Sequence, residues 1–145
     1  MRIAIKYGLL ITAVVAVWVI VTHFLVPISP QSKLNMLAPV LFNLAAIIAI
    51  YLGIKEKNAE KEMDFKAGLK TGVSISLVYA ISACLFFFVL LLIAGPSVMA
   101  NEPMVDNYEP WQVAVLASAG MFFGSLILGL VYSTIISFFL ARRYR

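Results

Sequence analysis

The chain has 145 residues, 63% of them hydrophobic and only 12% charged, with a formal net charge of +4 and a mean hydropathy of +1.00. A soluble domain is about half apolar and about a quarter charged, so this composition leaves too few polar side chains to cover a soluble surface. One cysteine and one histidine, Cys84 and His23, exclude an internal disulfide and a zinc site built from this chain's own thiols and imidazoles.

The first apolar run, residues 7–26, holds about twelve Leu, Ile, Val or Phe and no charge. It reaches the ~20 residues that cross ~30 Å of hydrocarbon, and its apolar side chains favour insertion by several kcal/mol. It is longer than a signal-peptide core and has no small-x-small site after it, so it reads as a retained span. Pro27 and Pro30 end it in a first outer loop, 27–35. The second run, 36–54, places Pro39 in the first turn of its helix, the position proline tolerates best. Asn43 is the most polar side chain within any span; the expected role is an interhelical hydrogen bond, and a polar seam is the functional alternative.

A short link of mixed charge, 55–72, follows. Glu62 and Lys66 stand four apart in the favoured order, so helix three is expected to begin near Asp64, before the third run at 73–94. The second outer loop, 95–110, contains Glu102, Asp106 and Glu109. Three carboxylates could gather a divalent cation, but in a proline-rich loop they are expected to be simply solvated. The fourth run, 111–141, is about 31 residues, or ~46 Å, and must tilt or overshoot the bilayer.

Ten of the eleven basic residues, from Arg2 and Lys6 to Arg142, Arg143 and Arg145, fall on one side of this arrangement; Lys33 alone falls on the other. The positive-inside rule therefore predicts both termini in the cytoplasm. Tyr7, Tyr51 and Tyr144 are expected at the inner interface, and Tyr108 and Trp111 at the outer one. These charges hug the span ends without an arginine-rich or aromatic-interleaved patch, which argues for lipid headgroups and against nucleic acid. The predicted fold is all-α: one domain of four transmembrane helices in an antiparallel bundle.

Two hairpins open alike, with Lys6-Tyr7-Gly8 and Lys70-Thr71-Gly72, and close on aromatic or Phe-Leu-small sequences before a basic residue, which raises a parallel two-plus-two repeat as an alternative organisation. Lipid is as apolar as leucine, so helices associate through small residues that permit close approach. Helix one offers Ala4, Gly8, Thr12 and Ala16; helix two Ala45, Ala49 and Gly53; helix three Gly68, Gly72, Ser76, Ala80 and Cys84. Helix four carries two stripes about 100° apart, Gly120 with Gly124 and Ser125 with Gly129, Ser133, Ser137 and Ala141, which gives it room for two neighbours, either both within the chain or one in another subunit.

No catalytic set emerges. His23 has no carboxylate near it in sequence, Gly68-Leu69-Lys70-Thr71-Gly72 lacks the order of a phosphate loop, and no span holds the ionisable residue that coupled transport usually needs. No cofactor is expected. The segments Asp64-Phe65-Lys66-x-Gly68-x-Lys70-Thr71-Gly72 and Lys6-Tyr7-Gly8 resemble a bacterial family of small four-helix integral membrane proteins known only as a domain of unknown function. That resemblance implies a prokaryotic inner-membrane location and the four-helix architecture, and supplies no activity. The expected function is a non-enzymatic small subunit or scaffold acting through helix contacts, with a second copy or another membrane protein as partner. The alternatives are an oligomeric transporter or pore for a small solute or lipid-like ligand, and a lipid-modifying enzyme using the outer carboxylates.

Overall fold

A computed structural model describes residues 1–25, 33–59, 64–95 and 108–143. The described chain is helical, with no strand: α1 (Arg2–Ile20), α2 (Lys33–Lys57), α3 (Phe65–Ala94) and α4 (Pro110–Arg143). Each is long and apolar enough to cross a membrane, over Arg2–Leu25, Met36–Lys57, Phe65–Ala94 and Pro110–Arg143. Their outer surfaces fit that solvent: Val17, Leu85, Phe123 and Ile127 are all about 60% exposed, an apolar skin that water would not tolerate.

Local chemistry sets the helix ends. α1 runs into a π-helical turn, Val21–Leu25, where the Thr22 hydroxyl donates to the Trp18 and Val19 carbonyls (2.8 and 3.3 Å). α3 starts after an extended Asp64 and stops at Gly95, whose φ of 74° only glycine adopts readily. α4 begins with Pro110 in its first turn, and the Gln112 side chain accepts from the Glu109 backbone N–H (3.0 Å), half of a capping box.

One boundary differs from the sequence reading. α2 begins at Lys33, so Pro39 sits inside the helix rather than in its first turn. Proline there deprives the preceding turn of one N–H donor. One turn on, the Asn43 side chain donates to the Pro39 carbonyl (2.7 Å), which adds a side-chain bond at that carbonyl without replacing the lost one.

The packing is densest between α3 and α4, and it rests on an exchange of glycine and serine. A Cβ added to Gly72 would collide with the Ser133 side chain and lie 3.2 Å from its Cα; one added to Gly129 would collide with Ser76. One turn forward along α3 is thus one turn back along α4. Each serine hydroxyl donates to the carbonyl of the glycine four residues before it, Ser76 to Gly72 (2.9 Å) and Ser133 to Gly129 (2.5 Å), so neither polar group is stranded. Both serines are fully buried. Gly68 and Ser137, a turn further on, are buried as well; the hydroxyls of Ser137 and Ser118 have no hydrogen-bond partner among the described residues.

α1 packs on α3 in the same chain sense. Gly8 lies under Val78, where a Cβ would approach its Cγ1 to 2.7 Å, and one turn on the Thr12 and Ser82 hydroxyls meet at 2.5 Å. α2 closes against both: Gly53 abuts Ile75 and Tyr7. The core common to the three helices is Ile11, Val15, Ile50, Ile54 and Ile75, each at most 1% exposed. Tyr7, near the start of α1, takes part in this packing. It is 8% exposed and donates to Glu56 Oε2 (2.6 Å), which also receives the Lys6 ammonium (2.9 Å). Gly8 and Gly72, equivalent in the repeat considered above, face different neighbours, α3 and α4 respectively.

Gly72→Ala should therefore cost about 1–3 kcal/mol, because the new methyl meets backbone as well as side chain. Gly124→Ala, entering open space, should leave stability unchanged or raise it. Thermal unfolding in detergent reads both; equal midpoints for the two variants would contradict the packing described.

Candidate functional site: a cleft between α2 and α4

α4 has one face for α3 and another that no helix covers. Gly120 and Gly124 are exposed, and a Cβ at either would have no atom within 4 Å. The sequence places these two on a packing face of α4 with a neighbour yet to be found; among the described residues nothing stands against them. The reason is geometric: a helix face a quarter-turn or so from the α3 contact would need α2 to fill it, and α2 meets α4 only sparsely.

The space so left is a cleft of about 260 Å³. Pro39, Phe42, Asn43, Ala46 and Ile50 of α2 form one wall, and Gly120, Met121, Gly124, Ser125, Leu128 and Tyr132 of α4 the other. Ser76 and Tyr79 of α3 and Ile11 of α1 lie at its back. The volume falls just under the ~300–1,000 Å³ of ordinary small-molecule sites.

Polar groups in this apolar cleft are few. The Tyr132 hydroxyl donates to Asn43 Oδ1 (2.6 Å), a bridge from α4 to α2 across the cleft. Asn43 Nδ2 is turned to the Pro39 carbonyl, as above. Tyr79, largely buried, lines the cleft together with Ser125. Asn43 was legible in the sequence as an isolated polar residue; Tyr132 and Tyr79 were not, because an aromatic within an apolar run carries no sign of which way its hydroxyl turns.

The remaining candidates are dispersed. His23, half-buried in the π-turn, stacks edge-on against Phe24 at 5.0 Å, and Cys84 is a half-buried free thiol on α3. Among the described residues no three His, Cys, Asp or Glu come close enough to hold a metal ion. Glu109 is exposed at the start of α4, while Glu102, Asp106, Glu62, Lys61, Tyr144, Arg145 and the prolines at 27, 30 and 96 lie outside the described residues.

Four long apolar helices with a lateral cleft, and an exterior suited to hydrocarbon, define a multi-pass membrane protein. The chain belongs to the family described as protein of unknown function (DUF4199), whose family model matches residues 6–142. No curated protein and no solved structure matches it.

The Tyr132–Asn43 bridge has a measurable strength. A double-mutant cycle of Tyr132→Phe and Asn43→Leu should return a coupling of about 0.6–2 kcal/mol in the membrane-mimetic state. A coupling near zero, from unfolding titrations in mixed micelles, would show that the bridge does not tie α2 to α4.

Proposed function

We propose that the chain is a non-enzymatic subunit or scaffold of the bacterial inner membrane, an antiparallel four-helix bundle with both termini in the cytoplasm, which works by receiving a helix of a second copy or of another membrane protein. The observation that carries this reading is the uncovered Gly120–Gly124 face beside the cleft. Helices in lipid associate where small residues let backbones approach, and here such a pair stands open next to a concave wall. The same spacing on the other face of α4, at Gly129 and Ser133, is where α3 packs, so this helix already uses the device once. The inside-positive distribution of basic residues supports the orientation.

Native mass spectrometry of the full chain, extracted from its own membranes in mild detergent, tests the proposal. Wild type should carry a second copy or a reproducible partner, and Gly120→Leu/Gly124→Leu should lose it while keeping its fold. A wild type that is monomeric with lipid alone, or a double variant that keeps its partner, would contradict it.

A second reading, an oligomeric transporter or pore for a small solute or lipid-like ligand, draws on the polar seam of Asn43, Tyr132, Tyr79 and Ser125 lining the cleft. Under that reading Asn43→Leu abolishes flux in reconstituted vesicles, and unchanged flux removes it.

A further inference from the structure

A second hollow lies between α2 and α4 nearer the C-terminal ends of both helices than the cleft described above. This shallower depression of about 470 Å³ is lined by Tyr51 of α2 and by Ile135, Phe139, Leu140, Arg142 and Arg143 of α4. The two spaces lie end to end: Ile50 and Tyr132 border the first, Tyr51 and Ile135 the second. We propose that this second depression binds an anionic phospholipid of the leaflet on the side of the termini, with its phosphate at Arg142 and Arg143 and one acyl chain lying along Tyr51, Ile135 and Phe139.

The first argument is the order of chemistry along the depression. Its walls are apolar and aromatic, and both cations stand at one end, on the last turn of α4. That order matches a phospholipid, whose charge sits at one end of a hydrocarbon chain. Ile135 and Phe139 are 49% and 65% exposed, so their surfaces are available to a chain rather than used by another helix.

Charge is the second argument. Both arginines are exposed, and neither takes part in an ion pair among the described residues. The ion pair present there joins Lys6 to Glu56, so the carboxylate at the end of α2 is already engaged. A guanidinium presents a planar fork of donors that fits phosphate oxygens two at a time, which an ammonium does not. Basic pockets between transmembrane helices at this level are where anionic headgroups are held.

Length is the third. From Arg142 to Tyr132 is ten residues, ~15 Å along the helix, and a leaflet's share of a ~30 Å hydrocarbon core is about the same. A chain that starts at the arginines ends near the Tyr132–Asn43 bridge. The Gly120–Gly124 face begins eighteen residues above Arg142, ~27 Å away, so the lipid site goes beyond the helix-receiving role and stands without it.

The test uses the full chain, delipidated in detergent and given equal amounts of phosphatidylglycerol and phosphatidylcholine with identical acyl chains, with bound lipid read by native mass spectrometry. Wild type should retain phosphatidylglycerol in preference. Arg142→Gln/Arg143→Gln should lower that retention about tenfold without changing phosphatidylcholine binding. Lys55→Gln/Lys57→Gln, which removes the same charge at the C-terminal end of α2, should leave it intact. Equal retention of the two lipids by wild type would overturn the proposal without any variant having to fold. Equal loss in the two double variants would reduce the effect to diffuse surface charge. Displacement of phosphatidylglycerol by inorganic phosphate would mean a site for a free anion, and a lipid-free dimer buried through this face would mean a protein interface; each of these also overturns it.

Discussion

The fold depends on one arrangement, the reciprocal seating of Ser133 on Gly72 and Ser76 on Gly129 between α3 and α4. In water two apolar helices would be driven together by burial of their surfaces. In hydrocarbon that drive is absent, and what remains is close contact, so helices meet where side chains are smallest. Serine serves here because its hydroxyl returns to the carbonyl one turn back and leaves a compact, satisfied knob. Once α3 and α4 are locked, Val78, Ile75 and Ser82 on the flank of α3 form the surface on which Gly8 and Thr12 of α1 settle. α2 then closes over Ile75 and Tyr7 through Gly53, its end tied down by the Tyr7–Glu56 hydrogen bond.

The cleft is a consequence of that order. α4 spends its glycine–serine stripe on α3, and α2 is committed to α1 and the near flank of α3, so the second small-residue face of α4 is left beside an incomplete wall. The Asn43–Tyr132 bridge spans the gap without closing it. Two hollows result, one with open glycines in its wall and one ending at the arginines of α4. Each offers different chemistry, close backbone approach in one and charge with hydrocarbon in the other.

The four membrane-length helices were legible because composition alone excludes a soluble surface and the apolar runs have the length of a bilayer. The interior position of Pro39 was not: proline is most common at a first turn, and nothing in the residues before it announces that the helix already begins at Lys33. The π-turn at Val21–Leu25 had no pattern that announced it. The two glycine stripes of α4 look alike in sequence, since spacing fixes which residues share a face and says nothing about what stands opposite. That is why Gly120 and Gly124 read like Gly129, although one pair is open and the other is seated on α3. Tyr7 shows the same limit: its place at a span end does not announce that its ring packs on Gly53 and that its hydroxyl bonds the exposed Glu56.

The α3–α4 lock can be tested directly by disulfide trapping in membranes, in a chain with Cys84→Ser so that no other thiol competes. Gly72→Cys/Ser133→Cys should oxidise to an internal bridge, because the two positions face each other in direct contact and the helices need part by only about 1 Å to reach a disulfide's ~3.8 Å Cβ–Cβ spacing. Gly124→Cys/Ala46→Cys, across the cleft, should not. Failure of the first pair to bridge, or equal bridging by both, would contradict a bundle locked at α3–α4 and open between α2 and α4.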